Sequence, residues 1–289
     1  MPATTGDIVS KILPADGVQP YTWLDPPPLG EPRTDLVGTV AHKTRILDMR
    51  DSPGEFSLDR TGFQVVGLKT ALGYEDFTQD ERIESVYYAE VDALLRRELN
   101  AERVVVFDHT IRRRAMPGVE VVSTPQNRQP IHAAHVDLTV KSATTRIRKI
   151  FGDEADALLR DRRVVSLNIW RPLRGPVLDV PLAIADARTL DVRNLVAAQV
   201  RYATRTGEDY TVRYSPDVRW YYLSEQRDDE ALVFKIFDSS STVDAPCEGI
   251  APVAAHTGFL DDRYIGQDVP LRESIELRVF VVLPKAVVG

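Results

Sequence analysis

Apolar positions change their period along the chain, and the change falls near residue 163. Before it, Ile83, Val86, Tyr87, Val91, Leu94, Leu95 and Leu99 recur at helical spacing behind a Thr78/Glu81 capping-box pattern, which predicts a helix with one face on the core. Residues 63–68 form a short apolar run interrupted by Gly67, a weak strand pattern. Arg103-Val-Val-Val-Phe-Asp108 reads as a buried strand; the three arginines of the His109 to Arg114 run that follows could bind an anion, but the favoured reading is a solvated strand end, because charged side chains are mostly exposed. Residues 142–151 predict a helix stopped by Gly152, with Asp153 capping a second short helix through Arg160. Beyond Arg163 the pattern is of strands at short intervals: 164–170, 177–185, 195–202, 210–214, 220–223, 232–237 and 274–283. Many short strands divided by Gly, Pro and Asp turns predict a mainly β fold with flanking α-helices, a sandwich or barrel.

Pro26-Pro27-Pro28 and Pro32 break regular structure, so residues 1–35 are expected to be an arm laid over the surface. No repeat, low-complexity tract or linker divides the rest, and 1–289 is read as one domain. Apolar content of 43% and charged content of 27% are ordinary for a globular protein. A net charge of −7 with mixed signs argues against a nucleic-acid or anionic-membrane partner. One cysteine, Cys247, excludes an internal disulfide framework and a cysteine-based zinc cluster. With no signal-peptide pattern in the first ten residues and no long apolar stretch, a cytoplasmic protein is expected.

Chemistry concentrates in His132-Ala133-Ala134-His135-Val136-Asp137. His135 and Asp137 are two residues apart, so an extended backbone points both to one face, whereas His132 falls out of phase. A His-x-Asp with a distant histidine is how a non-haem iron(II) site of two imidazoles and one carboxylate is written in sequence. His256, in a small-residue, extended-looking stretch, is the candidate third ligand, brought close only by tertiary folding. In the last strand Arg272, Ser274, Glu276, Arg278 and Phe280 share one face and Ile275, Leu277, Val279 and Val281 the other. Arg272 with Ser274 would suit the distal carboxylate of 2-oxoglutarate, with Arg278 on the same face as the rival clamp. Asn168 could hydrogen-bond the bound 2-oxo acid; Trp170 is either a wall of a small-molecule substrate pocket or an ordinary packed tryptophan, and Trp220 and Tyr222 read as core and barrel wall and as further candidates to line that pocket. Lys235 in an apolar strand calls for a partner such as Asp238.

The segments Phe107-Asp108-His109-Thr110, His135-Val136-Asp137, Asn168-Ile-Trp-Arg-Pro-Leu173, Asp179-Val-Pro-Leu-Ala183, Arg219-Trp-Tyr-Tyr222, Phe234-Lys-Ile-Phe-Asp-Ser239 and Arg272-Glu-Ser-Ile-Glu-Leu-Arg278 form an ordered set over about two-thirds of the chain. This set resembles the gibberellin desaturase-like, AsaB-like and CmcJ-like family of hydroxylases and desaturases of specialised metabolism. The resemblance implies a double-stranded β-helix (jelly roll), iron(II) on His135, Asp137 and His256, and 2-oxoglutarate and dioxygen as cosubstrates. Ala255 stands where the family commonly has proline before the late histidine, and the 16 residues from His256 to Arg272 make a longer interval than usual. Two other classes remain: a metal-dependent jelly-roll isomerase or hydrolase, and a non-catalytic small-molecule-binding partner of a tailoring enzyme.

Overall fold

The computed structural model describes residues 3–14, 18–116, 118–119 and 128–285. Among these, the strands in chain order are β1 (Thr4–Ile12), β2 (Tyr21–Trp23), β3 (Gly38–Asp48), β4 (Phe63–Gly67), β5 (Arg103–Arg113), β6 (His135–Val136), β7 (Arg163–Pro172), β8 (Leu182–Ala185), β9 (Leu195–Arg201), β10 (Thr206–Val212), β11 (Trp220–Tyr222), β12 (Glu230–Asp238), β13 (His256–Gly258) and β14 (Glu273–Leu283). The α-helices are α1 (Asp80–Arg82), α2 (Tyr88–Leu99), α3 (Val140–Phe151) and α4 (Ala155–Asp161). The strands form a nine-stranded sheet, β1-β3-β11-β8-β13-β6-β10-β9-β2, and a five-stranded sheet, β4-β12-β7-β14-β5. Their inner faces share one core, with Ile46, Val136 and Ile184 from the larger sheet packed with Trp170, Phe234 and Phe280 from the smaller. This is the double-stranded β-helix that the strand spacing and the resemblance led one to expect.

The outer face of the five-stranded sheet is covered by the helical segment. Ile83, Tyr87, Val91, Leu94 and Leu95 pack on Val165, Leu167, Ile169, Ile275 and Leu277. Burying each such side chain contributes about 1.5–3 kcal/mol. The predicted face is therefore correct, but its start is not. Thr78 belongs to a preceding 3-10 turn and donates to the Glu75 carbonyl, and the helix begins at Asp80 without a side-chain cap. Between α1 and α2 lies a π-helical turn, Ile83–Tyr87. Asp153 likewise caps nothing; it lies inside a 3-10 turn, Gly152–Glu154, before α4.

The N-terminal segment is not merely a surface arm. β1 pairs antiparallel with β3 along its whole length, and β2 pairs parallel with β9. Residues 1–2 and 15–17 lie outside the described residues. Along β1 the buried positions are Thr4, Gly6, Ile8 and Ser10, a face without enough hydrophobic residues to read as a strand. Other corrections concern length: only 182–185 of the 177–185 run pairs as a strand, and β5 continues to Arg113. In the β5–β14 ladder the register slips between Arg278 and Val279, so that Asp108 faces Arg278 and Val106 faces Val279, with Phe107 as the extra residue. Such a bulge breaks strict alternation and lets Phe107 and Asp108 border the same cavity. Lys235 has the expected partner: its Nζ lies 2.6 Å from Asp238.

Candidate metal centre

β6 and β13 are neighbours in the larger sheet, and their register sets His256 directly opposite His135. Both rings are buried, with centroids 4.4 Å apart. His135 donates from Nδ1 to the Ala133 carbonyl at 2.8 Å, and His256 points Nδ1 at the Ala254 carbonyl at 3.4 Å. A carbonyl on Nδ1 fixes the tautomer and leaves the Nε2 lone pair for a metal. Asp137, just past β6, places Oδ1 3.3 Å from Nε2 of His135 and 3.8 Å from Nε2 of His256. One donor atom from each residue thus lies within 4.8 Å of the others. Atoms bound at about 2.1 Å to one cation at right angles sit about 3 Å apart, so the two Asp137 contacts, at 3.3 and 3.8 Å, lie within about an ångström of what one shared ion needs.

The remaining carboxylate oxygen of Asp137 is braced by the smaller sheet. Arg278 donates from Nε at 2.8 Å and Asn168 from Nδ2 at 2.9 Å. Arg278 stands opposite Asn168 on β7 and Asp108 on β5, so one row across three strands faces the ligands. Burial raises the proton affinity of Asp137, but the charges around it, Arg278 first among them, more than reverse this and hold its carboxyl well below the usual range. Burial, and then the neighbouring His135, push His256 down to about 3, which keeps that imidazole neutral. An ionised carboxylate and a neutral imidazole are the protonation states a cation requires.

Arg272 and Arg278 now separate. The Arg278 guanidinium is spent on Asp137, Asp108, Thr110 and Glu276, so it is not the rival clamp that its strand face suggested. Arg272 is 3% exposed, donates to the Val180 carbonyl at 3.0 Å, and lies 5.0 Å over the Trp170 ring. Ser274 Oγ is 3.4 Å from its Nε. Asp179 accepts from the backbone N–H of Arg272, and among the described residues no carboxylate pairs with its guanidinium. Burial and then the like charge of Arg112 push its pKa down to about 9, the signature of a buried cation without its counter-ion. Trp170 Nε1 beside it is also buried without a partner.

Asn168 contacts the ligand carboxylate, not an open cosubstrate position, although its Oδ1 is buried and unpartnered. Trp220 and Tyr222 are corrected: neither borders the cavity beside His135 and Asp137. They sit on β11, separated by β8 from β13, about 10 Å across two strand spacings. Tyr222 packs on Phe259, and its hydroxyl accepts from Arg263. Trp170 also lies off that cavity, against Arg272. His132 is exposed and outside the ligand set.

The cavity has a volume of about 360 Å³ and is bordered by His135, Asp137, Phe107, Asp108, Arg112 and Arg146, among others. Arg112 was expected at a solvated strand end; it is 9% exposed and donates to the Gln129 carbonyl. The missed signal was alternation, since Asp108, Thr110 and Arg112 continue one polar face of β5 into the interior.

Fold and site together define a jelly-roll protein with a cluster of two histidines and one carboxylate that could hold a single metal ion. A family model described as "Oxidoreductase/YMDC permease-like domain" matches residues 11–282, and the chain belongs to this oxidoreductase family. It is 33% identical to the Fe(II)/2-oxoglutarate-dependent dioxygenase nvfI of Aspergillus novofumigatus over 83% of each chain. It is 30% identical to the hydroxylase/desaturase poxK of Penicillium oxalicum, covering 97% of this chain and 92% of that one. A solved structure of a single-substitution variant of the iron and alpha-ketoglutarate-dependent endoperoxidase NvfI superposes with a TM-score of 0.83 at 28% identity over 99% of both chains. Among the described residues no helix is long and apolar enough to cross a membrane.

Proposed function

We propose that the protein is an iron(II)- and 2-oxoglutarate-dependent dioxygenase that hydroxylates or desaturates a small molecule in specialised-metabolite biosynthesis, working as one oxygenase domain. The observation that carries this reading is the convergence of His135, Asp137 and His256, with donor atoms within 4.8 Å of one another. These three residues would hold iron(II). Arg272, with Ser274 and the unpartnered Nε1 of Trp170 beside it, would take the distal carboxylate of 2-oxoglutarate. A reducing compartment such as the cytoplasm suits the lone Cys247.

When bound, iron(II) and the 2-oxo acid supply the oxidising power to break an unactivated C–H bond, and the protein supplies position and protection. Arg278 and Asn168 keep Asp137 ionised and its Oδ1 directed at the ligand histidines. The carbonyls of Ala133 and Ala254 take the Nδ1 side of each ring, which turns both Nε2 atoms toward Asp137. Packing around His256, including Phe234 at 4.6 Å between ring centroids, excludes water from the inner side. Hydroxylation and desaturation differ only in how a substrate carbon is placed, which the cavity wall decides.

The test is dioxygen uptake. Protein given iron(II) and 2-oxoglutarate should consume dioxygen and release succinate slowly, and faster with substrate, while His256→Ala should do neither. Tight metal binding without either product would favour the isomerase or hydrolase class instead.

A further inference from the structure

The cavity over the ligand set carries more positive charge than metal and cosubstrate call for. Lys11, Arg112, Arg128, Arg146, Arg205 and Arg278 border it, against four carboxyls, Asp108, Asp137, Glu208 and Asp209. Asp108 and Asp137 are held by Arg278, and Glu208 is paired at 2.7 Å with Lys141, outside this lining. Iron(II) and the 2-oxoglutarate dianion cancel each other in formal charge, so the excess survives loading. The whole chain carries −7, so this basic cavity runs against the protein's average and would focus field onto an incoming anion.

Two of these arginines are held as recognition forks. Arg146 reaches from α3 and lies 5.1 Å from the centre of the Phe107 ring; Arg205, in the turn between β9 and β10, lies 3.7 Å over Tyr202. Stacking fixes the plane of a guanidinium and leaves its edge N–H groups directed outward. Among the described residues neither one forms an ion pair, although both border the same cavity. Burial, and then repulsion from Arg205, disfavour the charged form of Arg146, a repulsion that an anion between them would relieve. The rest of the wall includes the apolar side chains of Leu24, Phe107, Ile131 and Leu138. A volume of about 360 Å³ suits a small molecule.

From this arrangement we infer that the substrate is an amphipathic anion, an apolar body bearing a carboxylate or equivalent acid group that Arg146 and Arg205 grip at the mouth of the cavity. The apolar body lies along Phe107 and Leu138 and so extends toward His135 and Asp137. The inference rests on the oxygenase reading for the reaction but not for the binding.

A matched pair of fluorescent probes tests it: 8-anilinonaphthalene-1-sulfonate and N-phenyl-1-naphthylamine, which share an aromatic frame and differ in the sulfonate. Both are titrated into the full-length protein with and without manganese(II) and saturating 2-oxoglutarate. The anionic probe should bind more tightly than the neutral one, and Arg146→Gln and Arg205→Gln should each weaken it about tenfold. The neutral probe should change by less than about twofold in either variant, and Arg146→Lys should restore part of the loss. Equal affinity for the two probes, or equal losses for both in the variants, overturns the inference. Unchanged circular dichroism keeps a folding defect from imitating the result. If the oxygenase reading alone fails, 2-oxoglutarate and iron(II) give no spectroscopic complex while the probe contrast persists; if this inference alone fails, the complex forms and the contrast is absent.

Discussion

Arg278→Gln is the most informative single change, because Arg278 ties the five-stranded sheet to Asp137, the carboxylate of the proposed metal site. Its Nε lies 2.8 Å from Asp137, its Nη2 2.8 Å from Glu276 and its Nη1 3.0 Å from Asp108. At 2.8 Å and an effective dielectric constant of about 20, the gross attraction of one such pair is roughly 6 kcal/mol. Removing the guanidinium also removes the cost of burying it, so the net loss is smaller. Asp108 is 46% exposed and can return to water, while Asp137 and Glu276 are 10% and 6% exposed and cannot. Stripping one partner from such a buried pair costs about 3–5 kcal/mol, and that loss is expected in urea unfolding of the metal-free protein. Asn168 still holds the same carboxylate oxygen at 2.9 Å, so the ligand keeps its direction. A divalent cation should then replace the missing charge, and manganese(II) should stabilise Arg278→Gln by more than it stabilises the parent protein. A loss below about 1 kcal/mol, or a smaller manganese(II) stabilisation than in the parent, would refute the assignment of Arg278 as the charge that balances Asp137.

Three further outcomes follow from the same geometry. Arg272→Gln should raise the 2-oxoglutarate KM about 30- to 1000-fold, the equivalent of about 2–4 kcal/mol for a lost fork of charge-assisted hydrogen bonds, with iron affinity nearly unchanged; steady-state kinetics with metal titration check both. Gly258→Ala should mimic that effect more weakly, because a Cβ there would stand 3.1 Å from Nη1 of Arg272 and from the Ile131 carbonyl. Asp59 is held down to about 2 from its ordinary 3.8: burial raises it, but Arg163 and Lys235 outweigh burial. A depressed carboxyl stabilises the fold above its unfolded pKa and loses that contribution as pH falls through the folded one. Unfolding midpoints of the parent should therefore drop between about pH 4 and 2, and those of Asp59→Asn should drop less over that window.

The ligand set was legible because its chemistry is local. His135 and Asp137 are two apart at one strand end, and only the partner histidine needed tertiary folding. The last strand was legible for the same reason, since alternation from Arg272 to Val281 separates a polar face from one that packs under α2. Elements whose logic lies across the sheet were not. β1 buries Thr4, Gly6 and Ser10, and no hydrophobic pattern announces a strand whose stability comes from pairing with β3. Arg112 reads as the solvated end of a strand although the alternation of Asp108, Thr110 and Arg112 points inward, and nothing local to α3 marks Arg146 for the same cavity. The division of labour between Arg278 and Arg272 was equally hidden, since both lie on one strand face and only their partners distinguish them. Trp220 and Tyr222 sit in the core, as their reading as core and barrel wall predicts, but that they do not line the pocket was not legible, since which aromatics border a cavity depends on the whole sheet.

His135, Asp137 and His256 would hold one iron(II) ion, and Arg272 would take the far carboxylate of 2-oxoglutarate. Anaerobic addition of iron(II) and then 2-oxoglutarate, followed by visible absorption, tests this most directly. A charge-transfer band should appear with one equivalent of iron, vanish in His135→Ala, and in Arg272→Gln return only at much higher 2-oxoglutarate. Folded, iron-loaded protein that shows no band, or a band that persists at full strength in His135→Ala, would contradict the account.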